Sequence, residues 1–267
     1  MIERTLVKSQ AVSSWERIEY VPDEELNAIN SRLEGQPESA ELWLQKGLCL
    51  AGASLFREAG KCFARAIALE PFNGMLYRHW ARRMLSQWRF EDACAGFVIA
   101  SRLIPENWDV WYHLGVSYCM LGHYAQAEKA MYRCYELLKD QDPRDCCAAL
   151  DWRWHSLTRL GRKADADELL KCVPEGAECY EGDYGYMLNC SMCKGIVTPE
   201  QVYADPRVHS GSMDLMCVTY AVSNYYFCTG NIEKSNEFVD KCISIGKTHE
   251  RLTFGFMAAL ADKNARS

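Results

Sequence analysis

Cys190-Ser-Met-Cys193 is the spacing in this sequence that most suggests metal chemistry. A C-x2-C pair can offer two thiolates to a tetrahedral zinc ion, and Cys172, Cys179 and the adjacent Cys146-Cys147 stand upstream as further donors. The set is incomplete, because zinc needs four convergent ligands and no second C-x2-C or H-x3-H pair lies at a suitable distance. Thiols three apart on one helix are also ordinary packing residues. No metal and no cofactor is therefore expected. Catalytic signatures are missing as well: there is no Walker loop, nucleophile elbow, HExxH pair or Rossmann glycine fingerprint. The sequence assigns no catalytic residue, and the chain reads as a non-enzyme.

The elements that position side chains must come from the apolar pattern. The 267 residues are 49% hydrophobic, enough to bury a substantial core, and the net charge of -6 gives no global basic field for nucleic acid or anionic lipid. No nucleic-acid or membrane partner is expected. The first twenty residues place Glu3, Arg4 and Lys8 where a signal-peptide core would need an apolar run, and later apolar stretches are broken before bilayer-spanning length. The fourteen cysteines are scattered along the chain, so the expectation is a cytoplasmic protein with reduced thiols.

A repeat then becomes visible. Trp43, Tyr77 and Trp111 are spaced by 34, and Gly47, Ala81 and Gly115 follow each aromatic by four residues. The same step relates Ala59, Ala93 and Ala127, then Phe63, Phe97 and Met131, then Ala66, Ala100 and Cys134. Pro71 and Pro105 close the first two copies, while the third runs on to Pro143. A small residue on the same helical face as the aromatic lets a second helix approach closely, with the ring expected to cover the gap. Gly122 marks the turn, because glycine takes the left-handed conformation that ends a helix. Each copy is thus two helices.

These residues resemble the tetratricopeptide repeat, W-x2-L-G-x2-Y followed by A, F, A and P. The third copy carries the pattern as Trp111, Leu114, Gly115, Tyr118, Ala127, Met131 and Cys134. Fainter copies follow, with turns at Leu160-Gly161, Lys194-Gly195 and Gly230, a small residue at Ala166, a second helix cut short by Pro174, and a restart at Thr198-Pro199-Glu200. The sixth copy has Ser235 and Cys242 at its small positions. In its GIVTPE restart and late "YY" unit the second half is similar to bacterial repeat proteins, including periplasmic lipoprotein adaptors, although no lipoprotein signal is present.

The expected organisation is a capping segment over 1–36 with one helix opening at Pro22-Asp23-Glu24-Glu25, three clear repeats over 40–141, and three degenerate ones over 147–248. A capping helix closes it over 249–267, with apolar Leu252, Phe256 and Leu260 beside charged Glu250, Arg251, Asp262 and Lys263. Residues 204–212 read as a loop-like insertion. The resemblance implies an all-α fold, a right-handed α-solenoid of stacked antiparallel helix pairs, about six in number, in one continuous superhelix.

It also implies a concave groove lined by the first helix of each pair. The matching positions hold Arg78, His79 and Arg82, then Asp109, Tyr112 and His113, then Asp151, Trp152, His155 and Arg159, followed by Tyr186, Asn189, Tyr220 and Asn224. The first repeat offers Glu41, Leu44 and Gln45 instead. Arginine pairs with a carboxylate through two parallel hydrogen bonds, asparagine with a peptide backbone, and aromatic rings supply apolar area. The implied function is a protein–protein interaction adaptor or scaffold that holds a peptide segment of a partner, with an acidic group on that peptide. Chaperone-binding members use a Lys-Asn-Lys-Arg clamp; Arg78 and Arg82 stand where it would begin, but its first-repeat Lys and Asn are missing. The alternative is a small-ligand sensor or enzyme with a pocket near Trp152, His155 and Tyr186. Repeat geometry leaves the partner's identity and the oligomeric state open.

Overall fold

The computed structural model describes residues 24–140, 143–176, 184–247 and 253–266. Among them, every regular element is helical. No helix of the described residues is long and apolar enough to cross a membrane. The chain divides into two compact units, Met1–Ser117 and Tyr118–Ser267. The first contains α1 (Glu24–Gly35), α2 (Ala40–Gly52), α3 (Phe56–Leu69), α4 (Gly74–Ser86), α5 (Phe90–Leu103) and most of α6 (Trp108–Met120). The second contains α7 (Tyr124–Leu138), α8 (Pro143–Arg159), α9 (Lys163–Leu169), α10 (Tyr184–Cys193), α11 (Pro199–Ala204), α12 (Ser212–Cys228), α13 (Ile232–Lys247) and α14 (Phe254–Arg266). Pro22 and Asp23, Cys179, and Glu250 to Leu252 lie outside the described residues.

Local chemistry sets the helix ends. Ser39 and Asn73 accept from the backbone N–H of Leu42 and Met75, and Asn107 accepts from that of Val110, so the same 34-residue step carries a side-chain cap at each first helix. At the other end the six turns share one hydrogen bond. Leu55, Arg89, His123, Arg162, Ile196 and Asn231 donate to the carbonyls of Leu50, Met84, Tyr118, Leu157, Ser191 and Tyr226, over 2.8–3.0 Å. This six-to-one closure requires a left-handed residue just before the donor. Glycine fills that slot at Gly122, Gly161, Gly195 and Gly230, whereas Ser54 and Trp88 hold it at φ 63° and 64°. The turn is therefore a property of the repeat even where its glycine is absent.

Within the first unit, Ala59, Phe63, Ala66, Ala93, Phe97 and Ala100 are all buried. The gap beside Gly47 is filled differently from the expectation: a Cβ there would overlap the ring of Phe63, which comes from the second helix of the pair. Trp43 is half-buried and turns its indole N–H back to the Pro37 carbonyl at 2.9 Å, as Trp111 does to Pro105 at 2.8 Å. On their other side the buried rings meet the next repeat's histidine. His79 stacks on Phe63 at 5.5 Å and His113 on Phe97 at 5.7 Å.

In the second unit, Ala127, Met131, Cys134, Ala166, Ser235 and Cys242 are buried at the equivalent small or apolar positions. The second helix of the fourth repeat is short, with α9 running into a 3-10 turn over Leu170–Cys172 before Pro174. Thr198 and Gln201 form a reciprocal capping box at the start of α11. The 204–212 segment is less loop-like than its composition suggests, because a 3-10 turn there buries Val208 in the core around Leu188, Val218 and Val222.

Two substitutions test this packing. Ser54→Gly relieves about 1 kcal/mol of left-handed strain at an exposed site, so it is expected to raise the urea midpoint. Gly47→Ala drives a methyl into Phe63 and is expected to cost about 1–3 kcal/mol in the same assay.

Candidate functional site

The groove residues fall into two sets, one in each unit. In the first, α4 supplies Arg78, His79, Arg82 and Arg83, all half-buried, and α6 supplies Asp109, Tyr112 and His113. Arg78 Nε donates to Asp109 Oδ2 at 2.6 Å, and His113 Nδ1 lies 2.8 Å from the Asp109 backbone carbonyl oxygen. Burial opposes the charge on Asp109, but His113 and Arg78 hold its carboxyl well below the usual range. Arg83 lies over the Phe56 ring at 4.9 Å, and burial with its two arginine neighbours takes it down to about 10. The guanidinium of Arg82 has neither an acidic side chain nor another acceptor within bonding distance among the described residues, and burial lowers its pKa. Burial and then Arg78, Arg83 and Arg82 take His79 down to about 4, so it is neutral at pH 7. Asp109 thus pairs with Arg78, and it acts on Arg82 only at longer range. Tyr112 and His113 are buried against one another with ring centroids 5.2 Å apart.

In the second unit, α8 contributes Asp151, Trp152, His155 and Arg159; α10 contributes Tyr186 and Asn189; α12 contributes Tyr220 and Asn224. The structure brings these together, largely inside the protein. Arg159 donates to Asn224 Oδ1 at 3.0 Å and to Asp262 Oδ2 at 2.5 Å, with its guanidinium 4.0 Å from the Phe227 ring centroid. Arg266 reaches the same Asp262 oxygen at 2.9 Å and lies 4.5 Å from the same ring. Asp262 is 5% exposed. The sequence reading of α14 as a capping helix did not pair Asp262, since an Asp between apolar residues gives no local sign of Arg159, 103 residues earlier. His155 is kept neutral by burial and by the charges of Arg159 and Arg266, and its Nε2 lies 3.3 Å from the Tyr220 hydroxyl.

A small cavity remains beside them, bordered by Asp151, Trp152, His155, Tyr186, Tyr220 and Asn224. Its volume is about 10 Å³, room for one water and far below a metabolite. Asp151 is half-buried at its edge and accepts from Asn189 Nδ2 at 3.1 Å; desolvation pushes its carboxyl up to about 7. The Trp152 indole N–H donates to the Tyr186 hydroxyl at 3.4 Å. Asn189 is fully buried and its Oδ1 has no hydrogen-bond partner.

The C-x2-C pair lies on α10. Cys190 donates to the Cys147 carbonyl at 3.4 Å, hydrogen bonding and burial raise its pKa, and burial raises that of Cys193. Among the described residues, no group of three potential ligands is placed to hold a metal ion.

Two outcomes are expected from the second set. Asp262→Ala leaves two guanidiniums unpaired beside Phe227 and should cost about 3–5 kcal/mol by urea denaturation. Asp151 retains its proton in the folded state to higher pH than in the unfolded chain, so its contribution to stability falls as pH rises from about 4 to about 7. Melting temperatures across that range should therefore show Asp151→Asn gaining on the native chain as pH rises.

No family profile and no curated protein matches the chain. Solved structures do. A tetratricopeptide-repeat protein from Parabacteroides merdae superimposes with a TM-score of 0.56 at 14% identity, covering 97% of this chain and 95% of that one. YrrB, described as a TPR protein with an unusual peptide-binding site, gives 0.52 at 19% identity over 90% and 99%. A chain of the APC/C hetero-tetramer Cut9-Hcn1 gives 0.54 at 15% identity, covering 98% of this chain and 52% of that one. With the 34-residue pattern and the helix pairs that follow it, the chain has the tetratricopeptide-repeat fold.

Proposed function

We propose that this chain is a non-catalytic adaptor that binds a peptide segment of a partner protein, and that α4 receives an acidic group of that segment. The observation that carries the reading is Arg82, a half-buried guanidinium with no carboxylate of its own beside an Arg78 already committed to Asp109. A charge held partly out of water without a counter-ion is costly, and a partner's carboxylate would repay that cost through charge-assisted hydrogen bonds. His79, half-buried on the same helix, would supply the apolar part of a contact, with the buried Tyr112 behind it as support. Fold neighbours agree in kind, since one is described with a peptide-binding site and another comes from a multiprotein assembly.

The residues of the second set enter this reading with different roles. Trp152, His155, Tyr220, Asn189 and Asn224 are buried, and Arg159 is held by Asp262, so they would support a contact surface more than form it. Tyr186 is half-buried and is the one of these aromatic residues placed to meet a partner. A metabolite-binding enzyme finds less support, because the cavity near Trp152, His155 and Tyr186 holds about one water.

Arg82→Gln tests the proposal without touching Arg159. Fluorescence anisotropy against an array of acidic peptides and their amidated counterparts should show the native chain preferring the acidic set. The variant should lose that preference by about tenfold or more, the value of one charged hydrogen bond. The pKa of His79 followed by NMR should rise in the same variant, because one of the charges lowering it is gone. Equal binding of both peptide sets by the native chain would sink the acidic reading.

A further inference from the structure

We propose that the cavity beside Asp151 is a binding site for a protonated primary amine, presented by a lysine side chain or by a free alkylamine. The site does not depend on the peptide reading above, and its chemistry is of opposite charge. Asp151 is the carboxylate at the cavity edge, and no cation lies within ion-pairing distance of it among the described residues; its one hydrogen-bond donor is the Asn189 amide. Elsewhere in this unit the buried carboxylates are compensated, Asp262 by Arg159 and Arg266 and Glu128 by Arg153 and Arg162. Asp151 is the exception.

The surroundings supply what an ammonium group needs. Trp152, Tyr186 and Tyr220 border the cavity with electron-rich rings. Asn189 donates to Asp151 Oδ2 alone, so the other carboxylate oxygen has no donor among the described residues. Competing positive charge is absent from the lining, because His155 is neutral and Arg159 is committed to Asp262 and Asn224. An anion is disfavoured by Asp151 itself.

Size selects among cations. About 10 Å³ is room for one small group, and the head of a primary ammonium is close to a water in size. A divalent metal would need several hard oxygen ligands, and only one carboxylate is present here. The half-buried positions of Asp151, Tyr186 and Cys217 leave the alkyl stem a way out to solvent.

The test uses the full chain, with calorimetry and thermal melts in n-butylammonium chloride against 1-butanol at matched ionic strength. Saturable binding and a rise in melting temperature with the amine, absent with the alcohol, are expected. Asp151→Asn should weaken amine binding by about tenfold or more. The native chain's comparison of amine with alcohol stands even if that variant folds poorly. N-acetyl-lysine methylamide and a lysine peptide form the second arm: tighter binding than butylammonium assigns the site to a protein lysine, and equal or weaker binding assigns it to a free amine. No response to any amine, or the same response to 1-butanol, would leave the cavity as the seat of one water and overturn the proposal.

Discussion

Close contact between a ring on the second helix of a repeat and a missing side chain on the first is the constraint on which the first unit depends. Phe63 lies where a Cβ on Gly47 would be; in the next repeat the roles are exchanged, and a Cβ on Gly96 of the second helix would meet Trp80 and Ala81 of the first at 2.9 Å. Because neither helix can move away without opening a void, the separation within each pair is fixed at the scale of a methyl group. The far face of the same buried ring then meets the histidine of the following repeat. Intra-repeat packing and repeat-to-repeat packing therefore share one side chain, which is how a local contact becomes an array.

The second unit solves the same problem with polar groups. Its last helix is buried along much of its length, with Phe256 seated against Gly246 and Asp262 locked between Arg159 and Arg266. A buried ion triad of this kind gives less net stability than an apolar contact would, but it is intolerant of a missing member. It ties α8, α12 and α14 to one registry, and the shared Phe227 ring fills the space between the two guanidiniums.

Two sites of unbalanced charge follow from this frame. On α4, Arg82 has no acidic side chain within bonding distance, and on α8 Asp151 has no cation within ion-pairing distance, among the described residues. Both imbalances sit partly out of water, where a charge without its partner is expensive, and both are the sort of place where a binding partner lowers the energy of the protein.

Sequence alone determined the repeat, because its positions recur at a fixed step and the physics of each is local. A small residue beside a helix axis, a proline after a helix and a glycine in a left-handed turn need no distant partner to be read. The same reasoning placed the turn at Gly122 and overlooked that Ser54 and Trp88 fill that slot in the first two repeats, since the hydrogen bond closing the turn belongs to the backbone and leaves no residue signature. The type of each candidate site residue was also legible; its availability was not. Arg78, Arg82 and Arg159 are alike in the sequence, and only tertiary packing gives the first to Asp109, the third to Asp262 and leaves the second without a carboxylate. Which charge is neutralised depends on side chains tens to a hundred residues away, and a periodic pattern carries no information about such pairings.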